Sequence, residues 1–159
     1  MSYTSYRTLL FPFCALWLTG CGTFSDYDPR PPLETREEFK VEQAVYAYLL
    51  NQDIWTERDY SAVFLKGSDD EVEALLRRFP NHVPPLKPST AADVHPNRTP
   101  LDKETGKPGV ILSATVSEPA GNKAEAIGNY YGGSMFSGMY VFELKKDGDE
   151  WVIESVVKR

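Results

Sequence analysis

Hydrophobic and polar positions recur along this chain with two periods, and the change from one to the other divides it. Val41, Ala44, Val45, Tyr48 and Leu49 return at helical spacing, which predicts an amphipathic helix over residues 36–51. Thr35 and Glu38 stand ahead of that stripe in the pattern of a capping box, where each side chain satisfies an amide at the helix start. Residues 60–66 (YSAVFLK) are β-branched and aromatic and end at Gly67, which predicts a strand. Ser68-Asp69-Asp70-Glu71 repeats the capping pattern, and Val72, Leu75, Leu76 and Phe79 form the stripe of a second helix that Pro80 ends. Beyond residue 109 the period falls to two. Residues 110–117, 123–131, 135–146 and 150–157 are four strand candidates, separated by the turn pairs Gly121-Asn122, Gly132-Gly133 and Asp147-Gly148. Ala124, Ala126 and Tyr130 fall on one face of their strand, and Ile127 and Tyr131 on the other. Links this short join antiparallel neighbours. The predicted fold class is α+β: two N-terminal helices around one strand, then a curved antiparallel meander of four strands, with the helices on one face.

Residues 80–108 interrupt this order with seven prolines: Pro80, Pro84, Pro85, Pro88, Pro96, Pro100 and Pro108. Proline lacks an amide proton and fixes φ, so the segment is neither helix nor central strand. Residues 90–94 are its one candidate edge strand. Residues 22–33 (GTFSDYDPRPPL) show no apolar period, and Pro29, Pro31 and Pro32 stiffen them toward an extended spacer. Three parts are expected: a signal segment over 1–20, a tether over 21–34 and an α+β domain over 35–159.

The first segment is read from its own pattern. Residues 1–7 are polar with one positive charge and no acid, and an apolar run (TLLFPFCALWL) follows over residues 8–18. A charged start, a short apolar run and small residues at its end describe a secretory signal. The run is too short, and too interrupted by Pro12, to cross a bilayer, which takes about 20 apolar residues. Leu18-Thr19-Gly20-Cys21 resembles the lipobox of bacterial lipoproteins. That resemblance implies cleavage between Gly20 and Cys21, a diacylglyceryl thioether on Cys21 and an acylated amine. Two or three acyl chains suffice for stable attachment where one does not. The implied location is the cell envelope, with the membrane as the first partner through the lipid on Cys21. Gly22 rather than Asp at the second mature position points to the outer membrane in a Gram-negative host.

Composition narrows the function. The chain has 159 residues, 17 Lys+Arg against 23 Asp+Glu and a net charge of −6, so no basic face for nucleic acid is expected. Cleavage after Gly20 removes twenty residues and one arginine, leaving 139 residues at −7. Cys14 leaves with the signal and Cys21 is lipidated, so the mature domain has no thiol for a disulfide or for catalysis. No nucleophile elbow, zinc-protease helix, phosphate loop or dinucleotide fingerprint stands in a suitable context. Asp93, His95 and Asp102 have the donor chemistry for a divalent metal, but isolated in a proline-rich loop they read as solvated residues. Neither a metal nor a cofactor is expected, and no catalytic residue is assigned. Glu125, Glu143, Glu150 and Glu154 occupy outward positions on their strands.

Helix, strand and helix before an antiparallel meander resembles the cystatin-like and nuclear-transport-factor-two-like cone folds. Tyr130-Tyr131-Gly132-Gly133, Gly138-Met139-Tyr140 and the closing Asp147-Gly148-Asp149-Glu150-Trp151-Val152 resemble a group of uncharacterised bacterial secreted proteins, to which no activity attaches. Small residues interrupt the aromatic stretch from Tyr130 to Tyr140, which makes Tyr130, Tyr131, Phe136 and Tyr140 the candidate binding surface. The expected role is a non-catalytic envelope module that binds a protein or glycan. A small cone-fold enzyme with a buried carboxylate acting on an envelope metabolite is the first alternative. An inhibitor of a cell-wall hydrolase is the second, although Ser137-Gly138-Met139-Tyr140 lacks the spacing of one such lysozyme-inhibitor family.

Overall fold

The computed structural model describes residues 31–52 and 58–159. The signal segment, the lipobox Leu18-Thr19-Gly20-Cys21 and the tether as far as Arg30 lie outside the described residues. Two helices, α1 (Glu37–Leu50) and α2 (Asp69–Arg78), accompany eight strands. These are β1 (Ala62–Lys66), β2 (Leu86–Pro88), β3 (Ala92–Asp93), β4 (Leu101–Asp102), β5 (Gly109–Val116), β6 (Lys123–Tyr131), β7 (Ser137–Asp147) and β8 (Glu150–Lys158). Six of them form a mixed sheet in the order β2-β1-β5-β6-β7-β8, while β3 and β4 pair separately. The fold is α+β with a mostly antiparallel sheet.

The meander β5-β6-β7-β8 runs antiparallel as its short turns require. Gly148, at φ +62°, takes the left-handed conformation of the tight β7–β8 turn at no steric cost. The first strand departs from the expected scheme, because β1 lies parallel to both β5 and β2. Its Ala62-Val63-Phe64-Leu65 run is buried on both faces, as a strand between two parallel neighbours demands. The proline-rich segment also holds more structure than its composition announces. Pro88 sits on the outer edge strand, where a missing amide costs no ladder bond. Ala91 and Ala92 then cover Phe64 and Ile111 on the sheet face away from the main core. The edge expected at 90–94 survives only as Ala92–Asp93, in its own ribbon with Leu101–Asp102.

The main core lies between the helices and the sheet. Val41, Val45 and Leu49 of α1 and Leu75 of α2 meet Val63, Leu65, Leu112, Phe142 and Leu144, all fully buried. Gly128 of β6 lets α1 settle this close: a Cβ there would lie 2.9 Å from Phe142, 3.1 Å from Leu49 and 3.2 Å from Val45. The alternation on β6 is as the pattern predicts, with Ala124, Ala126 and Tyr130 inward and Ile127 outward.

One local expectation is corrected. The capping box at Thr35 and Glu38 does not form: Arg36 is the N-cap of α1, and the Thr35 hydroxyl instead donates to the Pro32 carbonyl at 2.7 Å. Ahead of α1, Leu33 packs on the core and Arg36 Nε donates to the Pro31 carbonyl at 2.8 Å, within a compact unit that spans Pro31–Arg159. The second capping box is present at Ser68 and Glu71, with the Ser68 amide donating to Glu71 Oε2 at 2.9 Å.

Candidate functional site

The residues expected to form a binding rim are gathered, but mostly inside. Tyr130 and Tyr140 keep only 6% and 5% of their surface, so they are core side chains rather than an exposed aromatic face. Tyr131 and Phe136 are half-buried, and the Tyr131 hydroxyl donates to the Arg98 carbonyl at 3.2 Å. The rings of Tyr140, Tyr130 and Phe136 belong to a ladder that begins at Tyr48 on α1. Tyr48 meets Phe142 and Tyr140 edge-on at 5.2 and 5.9 Å, Tyr140 lies 6.0 Å from Tyr130, Tyr130 5.1 Å from Phe136, and Phe136 5.8 Å from Tyr60. Separations of this order are favourable between quadrupolar rings. The interrupting small residues are explained by the same packing: a Cβ on Gly138 would stand 2.5 Å from the Tyr130 hydroxyl.

What this end presents to solvent is cationic. The exposed Lys158 places its ammonium 5.5 Å from the ring centres of both Tyr130 and Tyr140. Hydrogen bonding to the Tyr130 hydroxyl, with the nearby Tyr140, raises the Lys158 pKa above its ordinary value and keeps it charged. Arg58 stacks over Phe136 at 4.0 Å. It also bonds the Tyr60 hydroxyl, whose pKa burial nevertheless pushes up.

A second feature escaped the sequence reading altogether. An open groove of about 960 Å³ runs between α1 and β8. Ala44, Ala47 and Tyr48 of α1 and Trp151 and Ile153 of β8 supply its apolar lining, with Lys40, Gln43, Asn51, Arg78, Glu34, Asp149 and Glu150 also around it. Trp151 is fixed by its indole N–H, which donates to Glu37 Oε2 at 2.9 Å. The same carboxylate receives Lys146 at 2.8 Å and Lys40 at 3.0 Å, and these cations hold the Glu37 pKa down to about 2. Glu37 lies in the first turn of α1, where the helix dipole also favours a negative charge. A single carboxylate thus ties the helix start to the β7–β8 hairpin and sets the groove's indole.

Glu42, on the inner side of α1, is a buried carboxylate with 9% of its surface exposed. Desolvation, and the like charge of Glu71 at the start of α2, push its pKa up to about 7. Neighbouring Tyr46 is also pushed up, chiefly by burial and then by Glu42, while its hydroxyl donates to the Lys66 carbonyl at 2.7 Å. Glu42 does not line the groove.

The remaining candidates are structural or solvated. The buried Asp102 accepts from Lys87 at 2.9 Å, and Lys87 also reaches Glu104 at 2.8 Å. His95 stands 3.5 Å from Asp93, with both side chains more than half exposed. The His82 ring lies against the Pro84 and Leu50 carbonyls at 2.7 and 3.3 Å, joining the loop after α2 to the end of α1. Among the described residues no three His, Cys, Asp or Glu side chains converge to hold a metal ion. Glu125, Glu143, Glu150 and Glu154 are exposed, and Glu143 accepts from Ser155 at 2.9 Å. No described helix is long and apolar enough to cross a membrane. Comparison with protein-family models, curated proteins and solved structures returns no match for the chain.

Proposed function

We propose that this chain is a lipid-anchored, non-catalytic module of the cell envelope that holds an envelope protein or glycan in the groove between α1 and β8. The groove is the observation that carries the binding reading. It is open, and on its apolar lining the half-buried Tyr48 brings contact area at little conformational cost, with the nearly buried Trp151 as its floor. Gln43 and Asn51 add amide donors and acceptors beside that lining. The lipobox Leu18-Thr19-Gly20-Cys21 supports the anchor and, with Gly22 behind it, an outer-membrane location.

The two halves of the proposal are tested separately. Cys21→Ser moves the protein from the membrane to the soluble fraction, and retention in the membrane removes the anchor. A photo-crosslinking residue at position 47, in the groove, yields an adduct in intact envelopes that the same residue at position 143, on the outer sheet face, does not. Equal labelling from both positions removes the groove. The pocket-enzyme reading keeps one favourable observation, the buried Glu42, whose carboxyl titrates near neutrality as a general acid or base would.

A further inference from the structure

We infer that the outer edge of β8 pairs antiparallel with the same strand of a second copy of this chain, about a two-fold axis between Glu154 and Ser155. This edge is distinct from the groove, and its pairing does not rest on a ligand there. The six-stranded sheet ends at β2 on one side and at β8 on the other, and among the described residues no further strand joins either. The β2 edge is three residues long and closes on Pro88, two features that keep an edge unpaired. The β8 edge runs for nine residues without a proline.

Charged side chains guard an edge when they stand out over it. The polar side chains between Val152 and Lys158 lean the other way, toward the sheet. Glu154 stands 3.8 Å from Lys145 of β7, and the Ser155 hydroxyl donates to Glu143 of β7 at 2.9 Å. The Lys158 ammonium lies over Tyr140 of β7 and Tyr130 of β6, 5.5 Å from each ring centre. Val152 and Val157, by contrast, leave 49% and 52% of their surface to solvent.

The backbone sets the register. Arg159 exchanges hydrogen bonds with Met139 of β7 at 2.8 and 3.4 Å, so by ladder alternation Val156 and Lys158 direct their amides and carbonyls outward. Lys146 bonds Asn122 beside β6, so Trp151 opposite it faces outward as well, and so does Ile153. A second β8 meets all four residues when Trp151 faces the copy's Lys158 and Ile153 faces the copy's Val156. Val152 then lies opposite the copy's Val157, twice, at the closer non-hydrogen-bonded positions. Glu154 is a bulge, the residue that β7 leaves unmatched between Ile153 and Ser155. A regular strand from another protein loses step there. A two-fold copy carries the same extra residue at the same place, and the ladder continues on both sides of it.

The test uses the full chain in a neutral detergent. By sedimentation equilibrium the wild-type chain is a dimer. Val152→Lys combined with Val157→Lys sets like charges opposite each other at two exposed positions and weakens association at least about tenfold. Val152→Lys combined with Val157→Glu restores it, because each lysine then meets a glutamate of the copy. For the register, Cys14→Ser and Cys21→Ser remove the native thiols, and Val152→Cys and Val157→Cys are made separately. An equimolar mixture of the two forms a covalent dimer on oxidation, and neither does so alone, since like positions across the axis are about 16 Å apart. A monomeric wild-type chain, which is also the result if the edge takes a segment of another protein, overturns the pairing. So does a lysine pair that leaves the dimer intact, a Lys–Glu pair that fails to restore it, or a disulfide that forms as readily from either variant alone.

Discussion

Glu42→Gln converts a buried carboxylate into a neutral isostere, and its effect on stability has a defined pH signature. In the unfolded chain the carboxyl titrates at its ordinary 4.5, whereas in the fold burial and Glu71 push it up to about 7. Between those values the folded state holds a proton that the unfolded state has lost. Stability therefore falls as pH rises through that window, by about 1.4 kcal/mol per pH unit, and levels off above it. The full loss approaches about 3 kcal/mol for the wild-type chain. Glutamine carries no charge at any pH and escapes it. The assay is urea denaturation of the chain from residue 31 onward, followed by tryptophan fluorescence, with both proteins measured from pH 4 to pH 8. The difference between them cancels every carboxylate that does not interact with Glu42. The variant matches wild type near pH 4 and is more stable by about 3 kcal/mol at pH 8, half of the change being complete near pH 6. A difference that stays constant across that range refutes the reasoning, because the Glu42 carboxyl then titrates alike in both states.

Glu37 has the opposite sign: its pKa is lowered to about 2, so its contribution is present above pH 4.5 and disappears as pH falls toward 2. Because this side chain keeps about a third of its surface, Glu37→Gln costs no more than about 1 kcal/mol at pH 7 and nothing at pH 2, as paired urea curves at the two pH values will show. Gly128→Ala forces a methyl group against Phe142, Leu49 and Val45, and lowers stability by about 1–3 kcal/mol in chemical denaturation. Compared with the chain from residue 31 onward, the chain from residue 35 onward lacks the Leu33 packing, worth about 1 kcal/mol, and melts about 4 °C lower in differential scanning fluorimetry.

The α+β class, both helices and the four-strand meander were legible because each is written in local periods. Residues 123–131 alternate without a break, and Glu150–Lys158 follows a turn pair that leaves the chain little choice. The parallel placement of β1 was not legible in the same way, since its partners lie about twenty and forty-five residues downstream and no turn connects them directly. One sign of it was present: Ala62-Val63-Phe64-Leu65 has no polar alternate, which a half-solvated antiparallel strand would show. At the start of α1 the Thr35 hydroxyl is taken by the Pro32 carbonyl, and the first helical residue, Glu37, is held instead by Trp151 and Lys146 of the β7–β8 hairpin, contacts that no local pattern announces.

The candidate site divides along the same line. Aromatic density between Tyr130 and Tyr140 marked the correct end of the sheet, yet composition alone does not say which side of a ring meets solvent. Packing decides that: once Tyr130 and Tyr140 face α1, their accessible edges belong to whatever side chain closes the last strand. That residue is Lys158, eighteen positions after Tyr140 and opposite it in register. Arg58 reaches Phe136 across a still longer separation. The groove likewise needs α1 and β8 side by side, and Glu42 becomes unusual only when packing desolvates it and α2 brings Glu71 toward it. Each of these features is a contact between elements whose own patterns are ordinary. A lysine ending an edge strand reads as protection against edge-to-edge pairing, and on exposure alone that reading would suffice. The two buried phenol rings beneath its ammonium are what an edge guard does not require, and they tie the last strand to the aromatic ladder that runs back to α1.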